Sequence, residues 1–175
     1  MVEAETILQV VSVLSVAAAL LYDAMTIRSM EKARRKDFIF ESNVARNTPE
    51  YFEIYQRVSS MVDHETAEEF NTKYDAKRRA EWNYLAHYFN VVGVALREGV
   101  ATPDEIFWLY PSGAIIDVYE LSEPILRRYE YRSPGHWKPF EELCAEARKR
   151  TPGYVSGWKR ARSAKQGKET NISTV

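Results

Sequence analysis

The stretch Thr6–Tyr22, TILQVVSVLSVAAALLY, carries no charged side chain and nine large aliphatic ones: Ile7, Leu8, Val10, Val11, Val13, Leu14, Val16, Leu20 and Leu21. No other part of the chain constrains the fold so strongly. As a helix rising about 1.5 Å per residue, the ~17 residues reach roughly 25 Å, the short end of what crosses the hydrocarbon of a bilayer. A helix in a soluble core shows an apolar stripe opposite a polar face, whereas this run is apolar nearly all round. A cleaved leader needs positive charge ahead of its apolar segment, and here Glu3 and Glu5 precede the run with no Lys or Arg. The basic residues Arg28, Lys32, Arg34, Arg35 and Lys36 follow it instead. Lys and Arg flanking a span favour the cytoplasmic side. The pattern predicts a single-pass anchor in the cell membrane, N-terminus outside and C-terminal domain in the cytoplasm. Ser12, Ser15 and Ala19 share one helical face, which would let two such helices approach closely in lipid, so a homo-oligomer is expected.

Glycine and proline set the organisation beyond the anchor. The first 92 residues hold no Gly and a single Pro, Pro49, which reads as long helices. The expected division is a short tail (1–5), a transmembrane helix (6–25), a juxtamembrane helical linker (26–47), a helical domain (48–153) and a basic disordered tail (154–175). Thr48-Pro49-Glu50 combines a cap, a first-turn proline and an acid at the positive end of the dipole. One long helix is then expected from about His64 to Glu98, with Trp82, Leu85, Ala86, Phe89, Val92, Gly93 and Leu96 as its buried stripe and Gly99 as its terminator. Thr102-Pro103-Asp104-Glu105 is a capping-box start. Pro124 should kink or divide the helix that begins near Ala114, and Trp137 to Arg150 forms the last one. The fold class read from this is all-α: one N-terminal transmembrane helix followed by a cytoplasmic bundle of about five helices.

The residues Trp82-Asn83-Tyr84-Leu85, Phe89-Asn90, Gly93, Glu98-Gly99, Asp104-Glu105-Ile106, Tyr119, Pro124-Ile125, Arg128, Trp137 and Phe140-Glu141-Glu142-Leu143 carry a resemblance. The segment they span is similar to a family of small prokaryotic membrane-anchored proteins of unknown function. That resemblance implies one N-terminal membrane helix and a compact helical domain. It implies no activity.

Chemistry-bearing patterns are sparse. His64-Glu65-Thr66-Ala67-Glu68 comes near a helical zinc motif, but a second His is needed where Glu68 stands, and only His87 and His136 remain in the chain. No metal and no cofactor is expected. Asn83, His87 and Asn90 fall at i, i+4 and i+7 and could line a polar pocket, with Arg127 and Arg128 as anion binders. The opposing reading is a hydrogen-bonded helix face, with the arginines paired to Glu120, Glu123 or Glu130. Cys144 sits on an apolar stripe and reads as an inert core thiol; a lone cysteine also suits a reducing compartment.

Arg34, Arg35 and Lys36 at the anchor, and Trp158, Lys159 and Arg160 in the tail, are placed to touch an anionic membrane surface. The sequon Asn171-Ile172-Ser173 would go unused on the cytoplasmic side. A formal net charge of −1 over 175 residues argues against a dedicated nucleic-acid binder, although the clusters Lys77-Arg78-Arg79, Arg148-Lys149-Arg150 and Lys159-Arg160-Arg162 keep that alternative in view. The function expected is a membrane-tethered, non-enzymatic interaction or regulatory module whose partners are the lipid bilayer, a second copy and an unidentified protein. The alternatives are a small-ligand receptor or enzyme using the Asn83/His87/Asn90 face, and a nucleic-acid-binding module.

Overall fold

A computed structural model describes the backbone of residues 2–62, 64–130 and 133–172, and side chains over 15–62, 64–128 and 133–164. The described residues form eight helices and no strand: α1 (Val2–Arg46), α2 (Pro49–Ser59), α3 (Ala67–Lys73), α4 (Ala76–Arg97), α5 (Pro103–Leu109), α6 (Ser112–Glu130), α7 (Lys138–Arg150) and α8 (Gly157–Ile172). The chain divides into two compact units, Met1–Phe38 and Ile39–Val175.

In the first unit α1 continues unbroken through the linker region, as the lack of Gly and Pro dictates. Residues 15–34 are all exposed, among them Val16, Leu20, Leu21, Tyr22 and Met25. Thr6–Leu14, the first half of the expected span, lies outside the residues whose side chains are described. Among the described residues no helix is long and apolar enough to cross a membrane.

The second unit is built around α4 and α7, its most extensively packed pair, with α6 against α7 and α2 against α4. Phe140 is completely buried, stacks on Phe89 at 5.7 Å and meets Tyr119 edge-on at 5.2 Å. It therefore joins α4, α6 and α7. Gly93 permits the close approach of α4 to α7: a Cβ there would stand 2.1 Å from the Pro139 carbonyl oxygen. Trp82 donates its indole N–H to Ser122 Oγ at 2.8 Å, fixing α4 to α6.

The starts at Thr48 and Thr102 form as expected. Thr48 Oγ1 accepts the Tyr51 amide at 3.1 Å, and Thr102 with Glu105 makes a complete capping box.

Three expectations are corrected. The helix expected over His64–Glu98 is two helices. Thr66 Oγ1 caps α3 by accepting the Glu69 amide at 3.2 Å, and Asp75 caps α4 by accepting the Arg78 amide at 2.8 Å. Asp and Thr stabilise helix starts more than helix interiors, so the break needs neither Gly nor Pro. Arg79 seals it by donating to the carbonyls of Asn71 and Tyr74, at 2.6 and 3.0 Å. Pro124 does not divide α6, which runs through it.

The third correction concerns the tail. The chain from Tyr154 was expected to be disordered, yet Gly157–Ile172 is helical. Ser156 caps this helix, its Oγ accepting the Lys159 amide at 3.2 Å, and Trp158 is buried at 7% exposure. The unit thus holds seven helices after α1 rather than about five.

Candidate functional site

The three polar residues of α4 differ in exposure and in task. Asn83 and His87 are exposed, whereas Asn90 is buried. Asn90 donates to the His136 carbonyl at 3.1 Å, and its Oδ1 accepts the Phe140 amide at 3.2 Å. The Phe140 amide also donates to the Trp137 carbonyl at 3.0 Å, so Asn90 adds a second acceptor in the first turn of α7, a structural task. His87 packs on Trp137 at 4.6 Å and on His136 at 5.6 Å; burial and the neighbouring imidazole lower its pKa. We expect Asn90→Ala to lower the unit's stability by about 1–3 kcal/mol, the loss of two hydrogen bonds at about 0.5–1.5 kcal/mol each. A urea melt followed by circular dichroism would measure it, and an unchanged midpoint would contradict this assignment.

Arg127 and Arg128 line a cleft of about 450 Å³ between the start of α3, the C-terminal half of α6 and α8. Its walls include Glu65, Glu68, Glu123 and Trp158, with a third arginine, Arg162. Each arginine has a carboxylate partner: Arg127 with Glu123 at 2.6 Å, Arg128 with Glu68, and Arg162 with Glu65 at 3.4 Å. Arg162 also lies over the Trp158 ring, 4.6 Å from its centroid. The cleft is thus charge-balanced. Such exposed pairs contribute roughly 0–1 kcal/mol each and are readily exchanged. Arg127 also borders a smaller cavity with Tyr119, Trp137 and Lys138. Asn83, His87 and Asn90 line neither cavity.

Beside the cleft lies a polar knot that sequence reasoning missed. Glu120 is 2% exposed. Its carboxylate accepts from Arg148 and Lys159, each at 2.7 Å, and from the Ser156 hydroxyl. Burial pushes this carboxyl up, but the Lys159, Ser156 and Arg148 hydrogen bonds outweigh it, and the pKa falls below its ordinary value. One turn earlier, Asp117 accepts the Gly157 amide at 2.9 Å and the Tyr154 hydroxyl at 2.8 Å. The available signal was an acid on the apolar stripe of α6, between Ile116 and Leu121, both buried.

His64 is buried beneath α8. Its Nε2 lies 3.0 Å from the Leu121 carbonyl, its ring contacts Phe70 and Tyr74, and its own carbonyl accepts the Trp158 indole N–H at 3.2 Å. The Met61 carbonyl lies nearby, yet Nδ1 makes no hydrogen bond of ordinary geometry. Burial lowers the His64 pKa against the opposing pull of the two carbonyls and Glu69, with Lys73 adding to the lowering. The unfolded chain therefore binds this proton more readily than the folded one. Stability from neutral His64 is full above the ordinary His pKa of about 6.5 and is lost as pH falls below it. We expect the melting temperature to drop between pH 7.5 and 5.5, and His64→Gln to flatten that slope. An equally steep slope in the variant would contradict the assignment.

The remaining candidates fall as follows. Arg34 and Lys36 are exposed and Arg35 partly so. Lys159 and Arg160 are exposed on α8, but Trp158, expected at a membrane surface, is in the core. In the basic cluster of α7, Arg148 pairs with Glu120, Lys149 with Glu146 and Arg150 with Asp104. Burial pushes the Cys144 thiol up to about 12, which keeps it unionised and a poor nucleophile. Among the described residues no three His, Cys, Asp or Glu side chains gather as a metal site.

A final cluster ties the end of α1 into the second unit. The Tyr88 hydroxyl donates to the Tyr110 hydroxyl, which donates to the Ser42 carbonyl at 3.4 Å, with the Tyr88 oxygen 3.3 Å from the same carbonyl. Arg46 donates to the Leu109 carbonyl and lies over the Tyr110 ring. Burial raises the pKa of both tyrosines, so they stay neutral donors.

A family model described as a domain of unknown function, DUF4760, matches residues 13–147. The chain belongs to the DUF4760 family. No curated protein and no solved structure matches it. The DUF4760 region begins within α1 and ends within α7. It includes Glu120 and both cleft arginines of α6, while Ser156, Trp158, Lys159 and all of α8 lie beyond it.

Proposed function

We propose that this DUF4760 protein is a membrane-tethered, non-enzymatic interaction or regulatory module that self-associates. One observation carries the reading. The described part of α1 between residues 15 and 34 is exposed on every side, yet it presents Val16, Leu20, Leu21, Tyr22, Met25, Ile27 and Met30. Exposed apolar surface of this extent calls for cover. Lipid supplies it for a helix whose sequence is uncharged from Thr6 to Tyr22 and basic thereafter. The bundle then lies on the basic, cytoplasmic side. The small face of Ser12, Ser15 and Ala19 supports contact between two copies within the bilayer.

The balanced charges of the arginine cleft and the structural use of Asn90 support an interaction module over a ligand receptor. The net charge of −1 weighs against nucleic acid. The experiment is fractionation of the full chain with carbonate washing, combined with protease access to the C-terminus in intact and opened cells. Retention in the membrane, with the C-terminus protected until lysis, is the expected result. Release of the chain into the soluble fraction would overturn the tether, and cleavage in intact cells would overturn the orientation.

A further inference from the structure

α7 and α8 are held to the bundle by different physics. α7 buries Phe140, Leu143, Cys144 and Ala147. In the described part of α8, Trp158 is the sole buried side chain. What remains is polar and charged. Lys159 reaches Glu120, Arg162 reaches Glu65, the cap Ser156 donates to Glu120, and the Gly157 amide donates to Asp117. The groups on the bundle that accept these contacts are the carboxylates of Glu65, Asp117 and Glu120. The helix itself carries Lys159, Arg160, Arg162, Lys165 and Lys168 against a single acid, Glu169. Lys159 is half exposed and Arg160 is exposed, so the cations are already hydrated and pay little desolvation on changing partners. Contacts of this kind weaken with ionic strength and yield to a stronger anionic competitor.

We propose that α8 is a detachable basic helix whose second docking site is an anionic lipid surface, with lipid headgroups competing against Glu65, Asp117 and Glu120 for the same helix. The proposal rests on the tether reading, because a bundle fixed beside a membrane presents α8 to headgroups at high effective concentration. Release frees Trp158 along with the cations. An amphipathic indole beside a basic segment suits the headgroup boundary. Lys and Arg near an anionic leaflet act additively, so five on one helix favour lipid, while Trp158 and the Glu120 knot favour the bundle. The leaflet's anionic content sets the balance. On release, Glu120 is left with Arg148 alone and the wall that Trp158 and Arg162 give the cleft is removed. The lipid composition is thereby transmitted to a surface of the bundle.

The test uses the full chain in nanodiscs of phosphatidylcholine, alone or mixed with phosphatidylserine, with an environment-sensitive dye on Ser163→Cys. Ser163 is exposed, and the native Cys144 is buried and resists labelling. The dye emission should shift to the blue in the phosphatidylserine discs only, and the shift should vanish at high salt. Glu120→Gln should enlarge it. Lys165→Gln with Lys168→Gln should reduce it several-fold and leave the emission in neutral discs unchanged. Equal emission in the two disc types would overturn the proposal. So would a shift produced by single-stranded RNA and not by phosphatidylserine. Failure of the chain to enter either disc contradicts the tether reading alone. Phosphatidylserine vesicles added to the free chain then decide, supporting the helix proposal by the same shift and overturning it by none.

Discussion

Gly93→Ala is expected to cost the helical unit more than about 3 kcal/mol, above the usual range for overpacking, and to lower its melting temperature sharply. The added Cβ would meet the Pro139 oxygen at 2.1 Å, the Pro139 carbon at 2.4 Å and the Phe140 nitrogen at 3.1 Å. All three are backbone atoms, so no side-chain rotation relieves the clash. α7 would have to move off α4, opening the most extensively packed helix pair of the unit and drawing Phe140 away from Phe89. The loss is a large fraction of the roughly 5–15 kcal/mol that holds a typical domain together. Gly99→Ala is the informative control. Gly99 sits at φ +68° with nothing within 4 Å, so alanine there should cost only about 1–2 kcal/mol for the left-handed backbone. Urea melts of the two variants, followed by helical circular dichroism, would show the difference. A Gly93→Ala midpoint no lower than that of Gly99→Ala would contradict the close α4–α7 approach.

Phe140→Ala should destabilise the unit by about 3–5 kcal/mol, the range for truncating a fully buried phenylalanine. The ring is 0% exposed, and its contacts with Phe89 and Tyr119 belong to two different helices. Little can close over the void, because the α7 backbone is fixed from both sides, by Gly93 at Pro139 and by Asn90 at the Phe140 amide. Phe140→Leu refills part of the volume and should recover a good part of the loss. A loss below about 1 kcal/mol for the alanine variant, typical of surface positions rather than core cavities, would mean that Phe140 does not join the three helices.

The Thr48 and Thr102 helix starts were legible because a cap acts within three residues and carries its own chemistry. The stripe Trp82, Leu85, Ala86, Phe89 and Val92 was legible because burial on one helical face repeats at the helix period. The split at Tyr74–Asp75 was written as plainly, in Thr66, Glu69 and Asp75, but it carries neither Gly nor Pro, the residues that punctuate helices most strongly. Asn90 could be placed on a polar face, yet whether that face opened to a ligand or capped a neighbouring helix depended on where α7 lies, 50 residues further on.

The Glu120 knot and α8 are further from sequence reach. Residues 154–172 are polar and basic, and composition alone reads them as a tail. Their order comes from partners elsewhere in the fold: Glu120, Asp117, Glu65 and the His64 carbonyl. A charge on one helix is evaluated by the charges brought beside it, and sequence spacing does not contain that distance.

By itself the sequence determined what is local: all-helical structure, the principal caps, the core-facing stripe and the long uncharged run of α1. Only the tertiary structure decided what is non-local. It assigned Asn90 to α7, paired Arg127 and Arg128 with Glu123 and Glu68, and turned a basic tail into a docked helix. The reason is range: capping and periodic burial act over a few residues along the chain, whereas ion pairing and close packing depend on which segments the fold brings together.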